Sequence, residues 1–451
     1  PEADHRTALD RYVARPDEAF AYELVASAEE GGVTTYLLRL TSQRWRREGE
    51  VSHPLWTHWL RISVPPRRRS GLAVLHIRGG SRPADEPPQA SDAAAVAAAQ
   101  TGLVVASVTN IPNQPLAIAP DLGDGRYEDD LIAESWLRAL ETGDMTWAVQ
   151  LPMVKATVAA MDAVERFLAE LDEPVDVSGF GLAGASKRGW TAWLTAAADG
   201  RVRAIAPMVI PLLNMGPNFR HHFSAYGFFA PPLRDYSGRG LVQRLGTPEA
   251  DRLAALVDPF AYRDRLTMPK YVMSAAGDEF FVTDSDRWYF DALPGENRLW
   301  VAARAGHNIT ARPEAIPALL SFFARVAEDP SAESIPGLDW RREGDVLAVR
   351  PLGPTPPSAV YVYRAENADA RDFRTVAIGD RPGSGWSARV LQPDEDGAYR
   401  AELAAPPEGW AAYVVEAVFP PTDGAPPLLT STPAVIVPDD LPFADVPLGG
   451  R

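Results

Sequence analysis

The run Gly184-Ala185-Ser186-Lys187-Arg188-Gly189-Trp190 constrains this chain more than any other stretch. A β-rich run, Val175 to Gly181, precedes it, and a helix-like run, Trp190 to Ala198, follows it. A serine between a strand and a helix, set among small residues, requires a tight turn with a strained serine backbone and a helix passing close by. The usual pattern for such a nucleophile elbow is Gly-x-Ser-x-Gly. Here Arg188 stands where the second glycine is usual, and Gly189 comes one position later.

The flanking pattern says what kind of sheet such a turn would sit in. Leu72 to Ile77, Leu103 to Val108, Ala204 to Ile210, Tyr271 to Ala276 and Leu299 to Ala302 read as short, mostly apolar, buried strands. Helical patterns alternate with them: Asp92 to Gln100 with Ser91 as N-cap, Thr146 to Leu171 with Pro152 in its first turns or kinking it, and Pro313 to Ala327. Apolar strands alternating with helices imply a mostly parallel sheet covered on both faces. Residues 1–66 are more polar, with strand-like runs at Thr34 to Leu40 and Trp59 to Val64.

Residues 211–266 break the alternation. They are long and rich in Phe, Pro, Tyr and Arg, with short helical pieces such as Pro248 to Val257. An insertion of that length between core strands is expected to cap a pocket, lined by His222, Phe228, Phe229 and Tyr236. After Glu328, Asp329-Pro330-Ser331 reads as a linker. Short alternating strands with Pro- and Gly-rich turns then run from Leu338 to Pro438, the pattern of a small immunoglobulin- or fibronectin-like β-sandwich. The expected division is a catalytic domain at 1–328 and a β-sandwich at 338–440. A length of 451 residues is consistent with two domains.

Composition narrows the partners. With 46% hydrophobic and 23% charged residues the chain reads as soluble and globular. A net charge of −16 argues against nucleic acid and anionic membranes. No apolar run is long enough for a transmembrane helix. Without cysteine there is no disulfide, thiol nucleophile or thiolate metal site. No signal peptide is visible at Pro1, and the missing initiator methionine reads as a processed or trimmed chain.

Ser186 as a nucleophile needs a base and an acid. Of seven histidines, His307 in Ala305-Gly306-His307-Asn308 is best placed, just after the last core strand. Asp278 directly follows the preceding strand and a glycine; Asp284 and Asp286 are rivals a few residues on. The order Ser, Asp, His is that of α/β-hydrolases. The N–H of Lys187 and one from Gly79 or Gly80, after the strand ending at Ile77, are the expected oxyanion donors. Lys187 and Arg188 could grip a carboxylate, or point along the helix to structural partners. Asp121, Asp124, Glu128, Asp129 and Asp130 miss the spacing of a calcium loop and read as a solvated or capping turn. His221-His222 lacks metal-ligand spacing, and neither metal nor organic cofactor is expected.

With these residues placed, the chain resembles the PhoPQ-activated pathogenicity-related protein family. The stretches that carry the resemblance are Glu128 to Ala133, Leu151 to Ala156, Gly184 to Trp193, Ala206 to Ile210, Asp258 to Tyr262 and Gly277 to Asp284. The resemblance implies an α/β-hydrolase fold and, since many members carry secretion signals, a secreted or periplasmic setting. The elbow is also similar to the Ser-Arg-x-Gly elbow of glucuronoyl esterases. The expected activity is serine-dependent cleavage of a small-molecule, peptide or saccharide ester. An aminopeptidase or dipeptidyl-peptidase-like hydrolase, an acyltransferase or cyclase in biosynthesis, and a secreted binding or signalling protein on a hydrolase scaffold are the alternatives.

Overall fold

The computed structural model describes residues 6–82, 93–377, 383–423 and 425–448. The chain divides into two compact units. One holds the chain up to Ile205 together with Gly238–Met268; the other holds Ala206–Ser237 and the chain from Pro269 onward. The units part at Ile205, Ser237 and Met268, away from the linker expected at Asp329-Pro330-Ser331.

The first unit opens with a short helix, α1 (Ala8–Val13), and three antiparallel strands, β1 (Ala21–Glu30), β2 (Val33–Arg44) and β3 (Leu55–Val64). Then come β4 (Leu72–Ile77), α2 (Ala93–Thr101), β5 (Val104–Val108) and a small hairpin, β6 (Leu116–Ile118) and β7 (Asp121–Arg126). Helices α3 (Glu128–Thr142) and α4 (Gln150–Ala169) lead to β8 (Gly179–Ala185), α5 (Lys187–Ala198) and β9 (Val202–Met208). The sheet order is β1-β2-β3-β5-β4-β8-β9. β3 meets β5 antiparallel, whereas β5, β4 and β8 run parallel. All five residues of β5 are buried, as expected of a mostly apolar strand covered on both faces. The expected helix from Thr146 begins at Gln150 instead, after a 3₁₀ turn at Met145–Trp147. Pro152 is its third residue, where a missing N–H costs no intrahelical bond. Residues 91 and 92 of the alanine-rich helix lie outside the described residues, so the capping role of Ser91 is not seen.

β9 is divided at Ile205, so its last residues, Ala206–Met208, open the second unit. There they are followed in the sheet by β10 (Lys270–Ala275) and β11 (Asn297–Ala302), which pair in parallel. Between them in sequence lie α6 (Met215–Tyr226) and α7 (Arg234–Ser237) of this unit, and α8 (Pro248–Val257) of the first. The 211–266 excursion is thus shared between the two units rather than forming one cap body. Helix α9 (Ala315–Glu328) precedes the β-rich tail. There β12 (Gly337–Glu343), β13 (Val346–Leu352) and β16 (Tyr399–Glu402) form one antiparallel sheet. β14 (Ala359–Asn367), β15 (Ser387–Leu391), β17 (Trp410–Phe419), β18 (Leu428–Ser431) and β19 (Val435–Val437) form the other. The tail is fastened to the core of its own unit: Tyr271 Oη donates to Leu429 O at 2.6 Å, and Trp300 Nε1 to Glu416 Oε2 at 2.7 Å. No helix among the described residues is long and apolar enough to cross a membrane.

Candidate active site

The strand before Ser186 begins later than its apolar sequence suggests. Val175 is buried, but its N–H closes the end of α4 on Leu168 O at 3.0 Å, and Ser178 N–H reaches Gly71 O at 2.8 Å. The ladder proper starts at Gly179, and β8 ends at Ala185. Ser186 follows with φ 56° and ψ −127°, and α5 begins at the next residue. A non-glycine residue at such angles stores about 1–3 kcal/mol of strain, held in place by its surroundings. Gly184 shows what holds it: a Cβ there would lie 2.5 Å from both the C and O of Arg188. Backbone cannot retreat as a flexible side chain can. Gly184→Ala is expected to lower stability by about 2 kcal/mol or more, read as a fall in the urea midpoint at unchanged slope.

The two cations after Ser186 are turned into the protein. Arg188 donates through Nε to Ile111 O at 2.6 Å and through both terminal nitrogens to the Glu128 carboxylate, at 2.6 and 2.5 Å. Lys187 Nζ lies 3.0 Å from Glu128 Oε2 and 3.0 Å from Asp129 Oδ2. Arg188, offered by the sequence as a substrate group, is committed to these partners. Burial raises the Glu128 pKa, but Arg188, Lys187 and a hydrogen bond from Gln114 outweigh it and leave the carboxyl at about 2. The acidic run around Glu128 therefore splits. Asp121 caps its own turn on the exposed strand β7, Asp130 pairs with Arg126 and Arg239, and Glu128 and Asp129 serve the elbow.

The glycine loop after β4 leaves the sheet beside the elbow, because Ile77 is the register partner of Gly184. Its carbonyls are tied down: Gly79 O accepts from Asn110 N–H at 3.0 Å, and Gly80 O from Gln114 Nε2 at 2.8 Å. Gly80 has φ 128°, a conformation that favours glycine.

The acid and the imidazole belong to the second unit. β10 and β11 end in register at Ala275 and Ala302, so the loops that follow emerge side by side. Gly277 N–H donates to Ala305 O at 3.0 Å, and His307 N–H to Glu279 Oε2 at 2.8 Å. His307 Nδ1 lies 2.9 Å from Asp278 Oδ2 and 3.1 Å from Oδ1, with Phe280 N–H on Oδ1 at 2.8 Å. The ring packs on Phe280, 4.3 Å between centroids. Burial raises the pKa of Asp278, and the charge and hydrogen bond of His307 pull back against it. His307 keeps 17% of its side chain exposed while Asp278 keeps 2%.

The rival carboxylates are occupied elsewhere. Asp284 accepts from His221 Nε2 at 2.8 Å and receives both terminal nitrogens of Arg371, at 3.1 and 2.7 Å. Its pKa falls well below the usual range: burial opposes this, but His221 and Arg371 prevail. Asp286 accepts from Ser274 Oγ at 3.1 Å and from the Tyr289 hydroxyl. Burial pushes Asp286 up to about 6 against those bonds. The Arg371 anchor has no local signal, being 87 residues from Asp284 in sequence.

Of the residues expected to line a pocket, His222 is 3% exposed and Tyr236 is 6% exposed, while Phe228 and Phe229 are half-buried. His222 Nε2 accepts from Ala230 N–H at 3.0 Å, and its ring stacks on Phe229. Burial, then the Arg374 charge, lowers its pKa to about 3. His58, bonded to Ser42 Oγ and Thr109 O, is lowered by burial to about 4. Both are neutral in the native state and titrate near 6.5 when unfolded. Their stabilisation is thus present above pH 6.5 and is lost as pH falls toward 4. Each loses about 1.4 kcal/mol per pH unit across that window. Thermal melts are expected to show a clear drop in Tm from pH 7 to pH 5; a flat profile would contradict the buried neutral assignment.

A mixed α/β sheet with a strained serine between a parallel strand and its helix defines the α/β-hydrolase class. Within it, the chain belongs to the PhoPQ-activated pathogenicity-related protein family, whose sequence pattern matches residues 9–374. It is 35% identical over 458 residues to autocrine proliferation repressor protein A of Dictyostelium discoideum, covering 97% of this chain and 92% of that one. Among solved structures it is similar to an acetyl xylan esterase from Paenibacillus sp. R4, with TM-score 0.49 and 14% identity over 71% of this chain and 96% of that one. It is also similar to acetyl xylan esterase 1 from Thermoanaerobacterium sp. JW/SL YS485, with TM-score 0.47 and 14% identity over 70% of this chain and 92% of that one.

Proposed function

We propose that this protein is a serine hydrolase that cleaves a carboxylic ester through an acyl-Ser186 intermediate. The backbone of Ser186, at φ 56° and ψ −127° between β8 and α5, carries the reading. Strain of that kind, locked by Gly184, presents a hydroxyl clear of its own helix. The hydrogen bond between His307 Nδ1 and Asp278 supports it from the second unit. With Nδ1 so engaged, Nε2 is the nitrogen that takes the Ser186 proton.

Ser186 Oγ forms a bond to the ester carbonyl carbon as its proton passes to His307 Nε2. The negative charge that develops on the carbonyl oxygen is met by the N–H of Lys187 and of Gly79 or Gly80. Collapse of the adduct breaks the ester C–O bond, and the departing alcohol takes the proton from His307. Water then repeats the sequence on the acyl-serine, giving its proton to His307 and releasing the acid. Asp278 holds the imidazole tautomer and stabilises the imidazolium throughout.

A fluorophosphonate probe tests the reading, since it phosphonylates an activated serine and spares ordinary ones. Labelling located at Ser186 by peptide mapping is expected. The 35%-identical relative's name favours a second reading, a signalling protein on a hydrolase scaffold. That reading expects no adduct at Ser186 and no ester turnover.

A further inference from the structure

The two backbone donors proposed for the oxyanion come from different segments of the first unit, and the sheet does not fix their spacing. The ladder between β4 and β8 ends at Ile77 and Gly184, short of both Gly79 and Lys187. What joins the segments beyond that point is a set of part-buried bonds centred on Glu128 and Gln114. Gln114 Nε2 donates to Gly80 O at 2.8 Å and to Glu128 Oε1 at 2.6 Å. Gln114 Oε1 accepts the Glu128 N–H at 2.8 Å. Glu128 in turn holds both Arg188 and Lys187, the two residues that follow the serine. The Arg188 guanidinium also lies against the glycine loop: a Cβ on Gly79 would come within 3.1 Å of its Nε and still closer to its Cζ. Its Nε holds Ile111 O, and Ile111 N–H holds Arg78 O at 3.0 Å, so the loop is gripped from below as well.

Two further observations set this cluster apart from an ordinary ion pair. Glu128 has φ 52°, a left-handed conformation in a residue with a full side chain, at the first position of α3. Gln114 is 2% exposed, so both ends of its amide are spent inside the protein. Strain at a non-glycine residue survives only where neighbouring bonds over-determine it, as the paired bonds to Gln114 do here.

We propose that Glu128 and Gln114 are positioning residues that set the separation between the Lys187 N–H and the glycine-loop N–H, and thereby the stabilisation of the oxyanion. The inference rests on the reading of Ser186 as the nucleophile. Glu128 touches no reacting atom; it acts through Arg188, Lys187 and Gln114. Loss of the clamp lets the glycine loop drift relative to the elbow. Misplacement of a donor by about 1 Å costs up to about 10²-fold in rate.

The test compares wild type, Glu128→Gln, Glu128→Asp and Gln114→Met, each normalised to the fraction of sites titrated by a fluorophosphonate. Normalisation removes the effect of a variant that only folds poorly. For Glu128→Gln and Gln114→Met, kcat on an activated ester is expected to fall at least about tenfold with KM within twofold. Affinity for a boronic acid, whose tetrahedral adduct carries an oxyanion-like oxygen, should fall in parallel. The kinetic pKa of the pH profile should not move, because His307 is untouched. Glu128→Asp should recover part of the loss. Gln114→Met keeps the Glu128 ion pairs, so it remains informative if Glu128→Gln does not fold. Unchanged kcat per titrated site in folded Gln114→Met overturns the inference, as does a kcat loss without weaker boronate binding. Normal turnover in Ser186→Ala overturns instead the reading on which it rests.

Discussion

Ser186→Ala is expected to abolish turnover of an activated ester, by on the order of 10⁶-fold where nucleophile and base act as a unit. The protein should remain folded. The strained backbone at φ 56° is held by neighbouring bonds, including Trp190 N–H to Ser186 O at 2.9 Å, and none of these needs the hydroxyl. The urea midpoint and circular dichroism should therefore match wild type, and the fluorophosphonate adduct should vanish. Near-normal turnover in the folded variant would remove the mechanism. A partial loss accompanied by a lower midpoint would instead show that the hydroxyl supports the turn.

Asp278→Asn is expected to lower kcat by about 10⁴-fold with little change in Tm. An amide of the same shape still fits the buried site and can still accept the Phe280 N–H at Oδ1. It can, however, present an N–H to Nδ1 and thereby favour the wrong tautomer, and it no longer stabilises an imidazolium. Asp284→Asn makes the opposite contrast. Asp284 is the bidentate counter-ion of Arg371, whose side chain is wholly buried, so the amide leaves a buried cation to the more distant Asp439, at 3.6 Å. About 3 kcal/mol or more of stability should be lost, while the sites that remain folded keep their turnover per titrated serine. If Asp284→Asn cripples turnover in a stable protein and Asp278→Asn is mild, the roles assigned to the two carboxylates are reversed.

Much of the fold was legible because its signals are local. β4 was read at Leu72 to Ile77 and found there, since a mostly apolar six-residue run between a basic stretch and a glycine pair has one obvious role. The elbow was legible for the same reason: small residues, a serine and a following helix lie within one turn of chain. The start of β8 was misread because Val175 is as apolar as any strand residue. Its burial comes from the end of α4, where its N–H closes on Leu168 O. Apolarity reports burial, and burial does not distinguish a strand from the loop that precedes it. The tail was legible as a pattern of short strands between Leu338 and Pro438, but β15 and β18 carry little signal of their own. In β15 the first four of five residues are exposed, and β18 is only four residues long, so neither shows a clear alternation.

Sequence alone determined the alternation of apolar strands and helices, the strand-to-helix turn at Ser186, and the order of serine, acid and histidine candidates. Each is a matter of residue type at neighbouring positions, where periodicity and steric size act directly. Tertiary structure decided which charge answers which. Asp278 and Asp284 lie six positions apart, are the same residue type, and are both buried; the register of β10 and β11 gives one His307, and packing leaves the other to His221 and Arg371. Arg188 looked available to a substrate because its partner, Glu128, is 60 residues away in the chain. Ionic partners are chosen by packing, since a carboxylate has no preference among cations until burial removes water and leaves one within reach.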